Sequence, residues 1–431
     1  MQALWLSTVL HYLPVATDHP VYVNISFDRT GRTVFKHRDT GMSGERTERS
    51  GSRAAGLRNR LESGIDRREF LRTAASGGFA LGLASVLGVD DFLAADDDEV
   101  TVVTAVVRSD PDDPFSLEER TRDVPAGWYE AVETALEVNE LLARYAFTGY
   151  FGSAVVPGSY ESESAAVSIG VSTEGSSIPE MVREVADGIS INAETIVDID
   201  NLEEGPDSTR PRLASSVDGG TAPSGVACET PSSMATLAPA LYHPDGERSF
   251  FATAEHAFEA VSDPVGQETL LPVEGAESIE LGTVERAHPV EDVAAIEPTG
   301  PLQPASWIDA PTTRRVRGQL TRYGIADLIA RDEELEKVGA LTGHTTGRIQ
   351  GLDAVTCFTD EFCRRGQLRW GGEMDLTDGD SGSVSYHSDP EGDDEDVLVA
   401  GFNNARTWWP GQSYVWGVSA YTLTEEYGYH F

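Results

Sequence analysis

The chain has 431 residues and a formal net charge of −40, with only two lysines, Lys36 and Lys337. From residue 96 onward it holds 62 acidic and 20 basic residues, so a nucleic-acid-binding surface is not expected there. Hydrophobic residues make up 40% of the chain and lie in strand-length runs, which excludes a disordered protein.

Residues 1–95 are predicted to be an N-terminal extension that ends in an export signal. The stretch from Asp66 to Arg72, DRREFLR, resembles a twin-arginine signal, and a mildly apolar run follows it over 73–89. The alternative is an amphipathic helix of a soluble domain. The export signal implies the Tat translocase as a transient partner, cleavage near Ala94 or Ala95, and secretion. The apolar run has no lipobox cysteine, and we expect no stable membrane anchor.

Residues 96–200 are predicted to form a small α+β domain. Apolar periodicity predicts strands at 100–107, 165–172 and 193–199, and helices at 128–146 and from Ser177 onward. This domain is either an accessory domain or a propeptide. Residues 201–224 are rich in Gly, Pro and acidic residues, as in a linker, and a processing cut could fall there.

Residues 225–431 alternate short strands with Gly, Pro and Asp turns, which favours antiparallel β-barrels. The first residue there with candidate chemistry is His256, at the end of the apolar, β-prone run SFFATAEHAF (249–258). A strand that ends here would deliver an imidazole to the edge of a cleft. The alternative is a histidine packed at a strand end.

An acidic residue follows 36 positions later. Asp292 directly precedes the short apolar run Val293 to Ile296. A buried carboxylate is the kind of group that can orient a catalytic histidine. Glu291 and Asp309 are rival acids. In so acidic a chain, any of the three could also be a solvated surface carboxylate.

The next stretch carries a glycine-rich segment and the cysteines. Residues 337–349 read KVGALTGHTTGRI, whose glycines favour turns or bulges. Cys357 and Cys363 could close a small disulfide loop in an exported protein. Zinc binding is the rival, but two cysteines without a histidine pair argue poorly for it, and we predict no metal site. Cys228 would then be free or buried.

The most informative stretch is TDGDSG, from Thr377 to Gly382. A serine hydroxyl needs a neighbouring base and backbone donors for the oxyanion that forms after attack. The glycines allow the backbone to bend sharply, so the amides of Gly379 and Ser381 could form that oxyanion hole. The alternative is an ordinary polar turn.

Together these stretches resemble the chymotrypsin-like serine peptidases of bacteria and archaea. TAEH resembles the family's T-A-x-H motif, DVAAI its D-[IVL]-A-x-[IVL] element, and GDSG its nucleophile loop. The order His, Asp, Ser is the family's order, which differs from that of subtilisins and α/β-hydrolases. The resemblance covers roughly residues 222–431. It implies a mainly β fold with two six-stranded barrels, a catalytic triad of His256, Asp292 and Ser381, and no cofactor.

The chain departs from the animal enzymes of this family in two ways. It lacks an [RK]-[IV]-[IV]-G-G junction, so we do not expect a new N-terminus to pair with Asp380, which would need another partner or solvent. Asp375 lies six residues before Ser381, where trypsins have the acid at the floor of the specificity pocket. It is a candidate substrate-pocket residue, although Asp375 and Asp378 could also be surface acids.

These features predict a secreted serine endopeptidase whose partner is a polypeptide substrate. The acid-rich, lysine-poor composition resembles that of proteins from extreme halophiles, in which molar salt screens the self-repulsion. One alternative is a non-catalytic extracellular binding or structural protein on the same fold. A second is an esterase that uses the same triad.

Overall fold

The computed structural model describes residues 10–13, 21–27, 33–35, 98–145, 149–172, 175, 177–185, 189–195, 210–215, 217, 220–261, 263–359, 362–406 and 413–431. The predicted export signal lies outside the described residues. No helix within the described residues has the length and apolar character needed to cross a membrane. Near the N-terminus, three strands pair antiparallel in a sheet of their own: β1 (Leu10–Leu13), β2 (Val21–Phe27) and β3 (Thr33–Phe35).

Residues 98–195 form five strands and two helices. These are β4 (Glu99–Arg108), β5 (Leu117–Pro125), α1 (Ala126–Tyr145), β6 (Tyr150–Pro157), β7 (Ala165–Val171), α2 (Ile178–Val185) and β8 (Ser190–Thr195). Helix α1 buries Trp128, Val132, Ala135 and Leu142, which recur at the spacing of one helical face. Sequence periodicity did not predict β5 or β6.

The first large sheet is built from residues 227–298. Its seven strands are β10 (Ala227–Glu229), β11 (Met234–Thr236), β12 (Leu241–His243), β13 (Arg248–Ala254), β14 (Glu268–Leu271), β15 (Ile279–His288) and β16 (Val293–Pro298). They pair antiparallel in the order β11-β10-β14-β15-β16-β13-β12. Ala238 N, just beyond β11, donates to Ala252 O in β13 (2.9 Å), so the sheet curls back toward its own strands.

The second large sheet is formed mainly by strands that follow residue 300. Strand β9 (Thr221–Ser224) precedes the first large sheet and pairs with β17 of this one. The other elements are β17 (Gln303–Ile308), β18 (Arg314–Leu320), α3 (Arg322–Ala330), β19 (Glu334–Gly339), β20 (Gly343–Thr359), β21 (Phe362–Trp370), β22 (Val384–Ser388), β23 (Asp396–Arg406), β24 (Val415–Ser419) and α4 (Ala420–Tyr427).

Six strands of this sheet pair in an antiparallel circuit. From β19 the pairing runs to β20, β21, β24, β23 and β22, and β22 pairs back with β19. The prediction of a mainly β, chymotrypsin-like fold is thereby confirmed. The strand count differs from the expected pair of six-stranded barrels, because the first sheet has seven strands and the second continues beyond the circuit.

Residues 98–195 extend the second sheet at two places. Strand β4 pairs with β18, and β6 pairs with β20. The buried residues of α1 belong to the same apolar core as Ile325, Leu352 and Trp370. The domain boundary near residue 200 stays a prediction, but sheet and core both run across the two parts of the chain.

Candidate active site

His256 and Asp292 are brought together by strand register. Strands β13 and β16 are neighbours, with Ala254 opposite Val293. His256 lies in the 3₁₀ turn that follows β13, and Asp292 directly precedes β16, so both side chains emerge at the same end of the pair. His256 Nδ1 lies 2.8 Å from Asp292 Oδ2, and the His256 amide donates to Asp292 Oδ1 at 2.9 Å.

The environment of this pair sets the charges of both groups. The side chain of Asp292 is 4% exposed and that of His256 is 44% exposed, so the imidazole remains accessible. Burial alone would lower the pKa of His256, but attraction to Asp292 outweighs it and the pKa lies above the ordinary value. Burial would raise the pKa of Asp292, but His256 outweighs this and the pKa is lowered. The ring can therefore accept a proton opposite a stable carboxylate.

Ser381 lies in a tight loop between the 3₁₀ turn at 373–375 and β22. Gly379 and Gly382 have φ of +102° and +95°, which side chains other than glycine rarely adopt. A Cβ on Gly382 would come within 2.2 Å of Thr236 O, and the Ser381 carbonyl accepts from Thr236 N at 2.8 Å. The Ser381 loop of the second sheet therefore packs directly against the first sheet.

The hydroxyl of Ser381 does not bond to the imidazole. Ser381 Oγ donates to Asn404 O at 3.3 Å, and among the described residues no hydrogen bond joins it to His256. Gly382 nevertheless packs on Ala254, because a Cβ on Gly382 would lie only 3.1 Å from Ala254 N, two residues before His256. Serine and histidine thus lie at the same junction of the two sheets.

The backbone amides of Gly379 and Ser381 lie in this loop without a hydrogen-bond partner among the described residues. Their neighbours do have partners: Asp380 N donates to Thr377 O, and Gly382 N donates to Asn403 O. Two amides two positions apart on a glycine loop are the donors that a developing oxyanion requires.

Asp380 is fully buried and has its own set of donors. Its carboxylate accepts from Leu341 N (2.7 Å), Thr377 N (3.0 Å) and Thr342 Oγ1 (2.7 Å). Lys337 Nζ lies 3.5 Å from Asp380 Oδ2, and both side chains are 0% exposed. Burial lowers the pKa of Lys337 despite this carboxylate. The segment 337–349 therefore supplies the partner that the missing N-terminal junction led us to expect.

Asn404 is a residue that sequence analysis missed. Its carbonyl accepts the hydrogen bond from Ser381 Oγ, and its Nδ2 donates to Glu291 O at 2.9 Å. It thus connects the Ser381 loop with the turn that carries Asp292. An asparagine near the end of a strand gives no sequence signal for such a role, because the contact joins residues 113 positions apart.

The other candidate residues lie elsewhere. Glu291 accepts from Tyr427 OH, and Asp309 lies 3.4 Å from Arg212 Nη2; neither rival acid bonds to His256 among the described residues. Asp375 Oδ2 accepts from Gly372 N at 2.8 Å and so caps its own 3₁₀ turn. No described contact joins Asp375 to Ser381 or His256.

Two of the three cysteines are bonded to each other. Cys357 and Cys363 form a disulfide near the end of the β20–β21 hairpin, at the positions predicted to pair. Cys228 is free and buried, and burial raises the pKa of its thiol to about 12. A thiol in this state is a packing group and not a nucleophile.

Comparisons with known proteins give structural likeness alone. No protein-family model matches the chain, and no curated protein matches it. One similar solved structure is the MamO protease domain from Magnetospirillum magneticum in its apo form, at 13% identity and a TM-score of 0.29, covering 46% of this chain and 88% of that one. Another is the Rv3671c protease in its inactive form, at 17% identity and a TM-score of 0.28, covering 45% and 82%. Likeness at this level leaves the family of the chain a prediction.

Proposed function

We propose that the protein is a secreted, salt-adapted serine endopeptidase that uses Ser381, His256 and Asp292. The observation that carries this proposal is the His256–Asp292 pair, held by strand register at the junction where the Ser381 loop packs. A histidine with its Nδ1 on a buried carboxylate presents Nε2 as a base. Such a base is what a serine hydroxyl requires to become a nucleophile.

The reaction would proceed through an acyl-enzyme. Ser381 Oγ attacks the peptide carbonyl while His256 takes the hydroxyl proton, and the amides of Gly379 and Ser381 stabilise the oxyanion. Collapse breaks the C–N bond, and His256 returns the proton to the leaving amine. Water, deprotonated by His256, then releases the acid and restores the serine. Before the attack on the peptide carbonyl, Ser381 Oγ must leave Asn404 O. This requires rotation about one side-chain bond of the serine.

One rival function has a specific observation in its favour. Because Ser381 Oγ bonds to Asn404 O and not to His256, the same fold could serve as a non-catalytic binding protein. Catalytic hydrogen bonds are often long or absent in unliganded enzymes, so this arrangement is also compatible with the peptidase. An esterase on the same triad differs only in its preferred substrate.

The proposal is tested with the full chain in molar salt. Wild-type protein, Ser381→Ala and Ser383→Ala are incubated with an unstructured polypeptide and with an activated ester, and new amino termini and released alcohol are measured. Ser383 is the matched control, since it is buried in the same loop and its Oγ accepts from Asn403 Nδ2. We expect Ser381→Ala alone to abolish peptide cleavage. Cleavage that survives in Ser381→Ala would refute the assignment, and ester turnover alone would favour the esterase.

A further inference from the structure

The guanidinium of Arg364 lies against Asp292, the candidate catalytic acid. Arg364 Nη1 is 3.6 Å from Asp292 Oδ2, the oxygen that also faces His256 Nδ1. The side chains of Arg364 and Asp292 are 15% and 4% exposed, so solvent and salt screen the contact weakly. No sequence motif singled out Arg364.

Arg364 also holds the backbone of the turn that carries the acid. Its Nη2 donates to Pro289 O at 3.4 Å, so one guanidinium contacts both ends of the stretch from Pro289 to Asp292. Asp292 has a φ of +60°, in the left-handed region that a residue with a Cβ adopts only when its surroundings enforce it. A planar group with several donors suits such a clamp better than an ammonium.

The clamp comes from the second sheet, whereas the acid belongs to the first. Arg364 lies on β21, directly after Cys363, whose disulfide to Cys357 ties the end of the hairpin. The next residue, Arg365, donates in another direction, to Ala143 O near the end of α1 (3.0 Å). Adjacent strand residues point to opposite faces, which explains why only Arg364 reaches the acid.

The charges around His256 determine how the Arg364–Asp292 contact affects protonation of the imidazole. Glu255 and Glu259 lie beside His256 in the chain, and Asp292 faces the ring; all three favour the protonated imidazole, as does a chain of net charge −40. Arg364 acts in the opposite direction and lowers the pKa of His256. A general base must be neutral before the reaction, so a cation at this place extends the pH range in which it can act.

We propose that Arg364 is a positioning residue for the candidate triad, fixing the Asp292 turn across the two sheets and opposing the protonation of His256 in a strongly acidic protein. The inference rests on the proposed function, in which neutral His256 accepts the proton of Ser381. It adds a residue outside the triad that acts on the reaction only through Asp292 and His256.

The test follows the titration of the His256 imidazole by NMR in the Ser381→Ala background, in molar salt, with the signal assigned by its loss in His256→Gln. Arg364→Gln, Arg364→Lys and Arg365→Gln are compared. Arg365→Gln is the matched control, because it removes the same charge from the adjacent residue. We expect the midpoint to move to higher pH in Arg364→Gln, to move less in Arg364→Lys, and to stay in place in Arg365→Gln. In protein that retains Ser381, Arg364→Gln should lower the cleavage rate roughly three- to tenfold on the acidic side of the pH–rate profile, compared with its own rate at the plateau of that profile.

An unchanged midpoint in Arg364→Gln, or an equal shift in Arg365→Gln, would overturn the proposal. Should Arg364→Gln fail to fold, Arg364→Lys decides, since the single nitrogen of a lysine cannot reproduce the two-nitrogen fork that contacts Pro289 O and Asp292; an unchanged midpoint there counts against the clamp. The titration does not require activity. If the midpoint shifts in a protein that cleaves no peptide, the role of Arg364 at His256 is supported and the peptidase proposal is refuted. If the protein is active and the midpoint does not move, the peptidase proposal is supported and the role of Arg364 is refuted.

Discussion

The two halves of the candidate site are held in place by different kinds of interaction. His256 follows β13 and Asp292 precedes β16, so the register of these paired strands brings His256 Nδ1 within 2.8 Å of Asp292 Oδ2. The Ser381 loop depends on a buried charge, Asp380, and on partners 38 to 43 residues away in the chain, Thr342 and Lys337. The first half is therefore positioned by backbone pairing, and its function depends on the protonation of His256. The second should be sensitive in position, because removing one partner leaves an unpaired charge in the interior.

The largest expected effect is on the first half. Asp292→Asn keeps the shape of the acid but no longer stabilises the imidazolium or fixes the ring tautomer, so we expect cleavage to fall roughly 10³- to 10⁴-fold. The acidic limb of the rate profile should move to lower pH, because Asp292 is what raises the pKa of His256. Measuring the cleavage rate across the neutral range, from mildly acidic to mildly basic pH, checks both effects. A rate close to that of the wild type would show that another group orients the histidine.

The next largest effect is on the second half. Lys337→Met leaves the buried Asp380 carboxylate without its cation, which should cost about 3–5 kcal/mol of unfolding free energy. Denaturant unfolding in molar salt measures this. The double variant Lys337→Met/Asp380→Asn removes both charges and should recover part of the loss. Equal stability of Lys337→Met and wild type would mean that the ion pair does not hold the loop.

A smaller effect is expected where the halves meet. Asn404→Ala removes the hydrogen bond to Glu291 O but keeps the carbonyl that accepts from Ser381 Oγ. We expect a loss of about 1–2 kcal/mol in stability, and a larger fall in cleavage rate per unit of lost stability than in Asn403→Ala. Comparing the two variants at equal fractions folded separates the contribution to the site from the contribution to folding.

The smallest effect concerns pH and stability. Since the pKa of His256 is raised on folding, its contribution to stability is fully present below its unfolded value of about 6.5 and is lost as pH rises through the folded pKa. The pKa of Asp292 is lowered, so its contribution is present above about pH 3.8 and is lost as pH falls through the folded pKa. The stability gap between wild type and His256→Gln should therefore narrow as pH rises from mildly acidic to mildly basic. A gap that widens with pH would contradict the assigned sign.

The difference between the halves also explains what sequence analysis could predict. Motifs identified Ser381, His256 and Asp292, because each lies in a short stretch with its own pattern. Asn404 and Arg364, whose contacts with the site join residues far apart in the chain, have no local pattern. The mainly β fold followed from strand-length runs, but β5 was missed because its sequence, LEERTRDVP, is charged and largely exposed. Strand β6 was missed because Gly152 interrupts its apolar run; a Cβ there would come within 2.0 Å of Val355 O, where β6 pairs with β20.

The residue that reacts with an activated-serine probe shows whether the two halves form one catalytic site. Full-length protein in molar salt is treated with a fluorophosphonate, and the adduct is located by mass spectrometry of the peptides, with Ser381→Ala and Ser383→Ala alongside. We expect one adduct per chain, on Ser381, at a rate that falls as His256 becomes protonated. An adduct on another residue, or labelling of Ser381→Ala at the wild-type rate, would contradict the central claim that the two halves form one catalytic site.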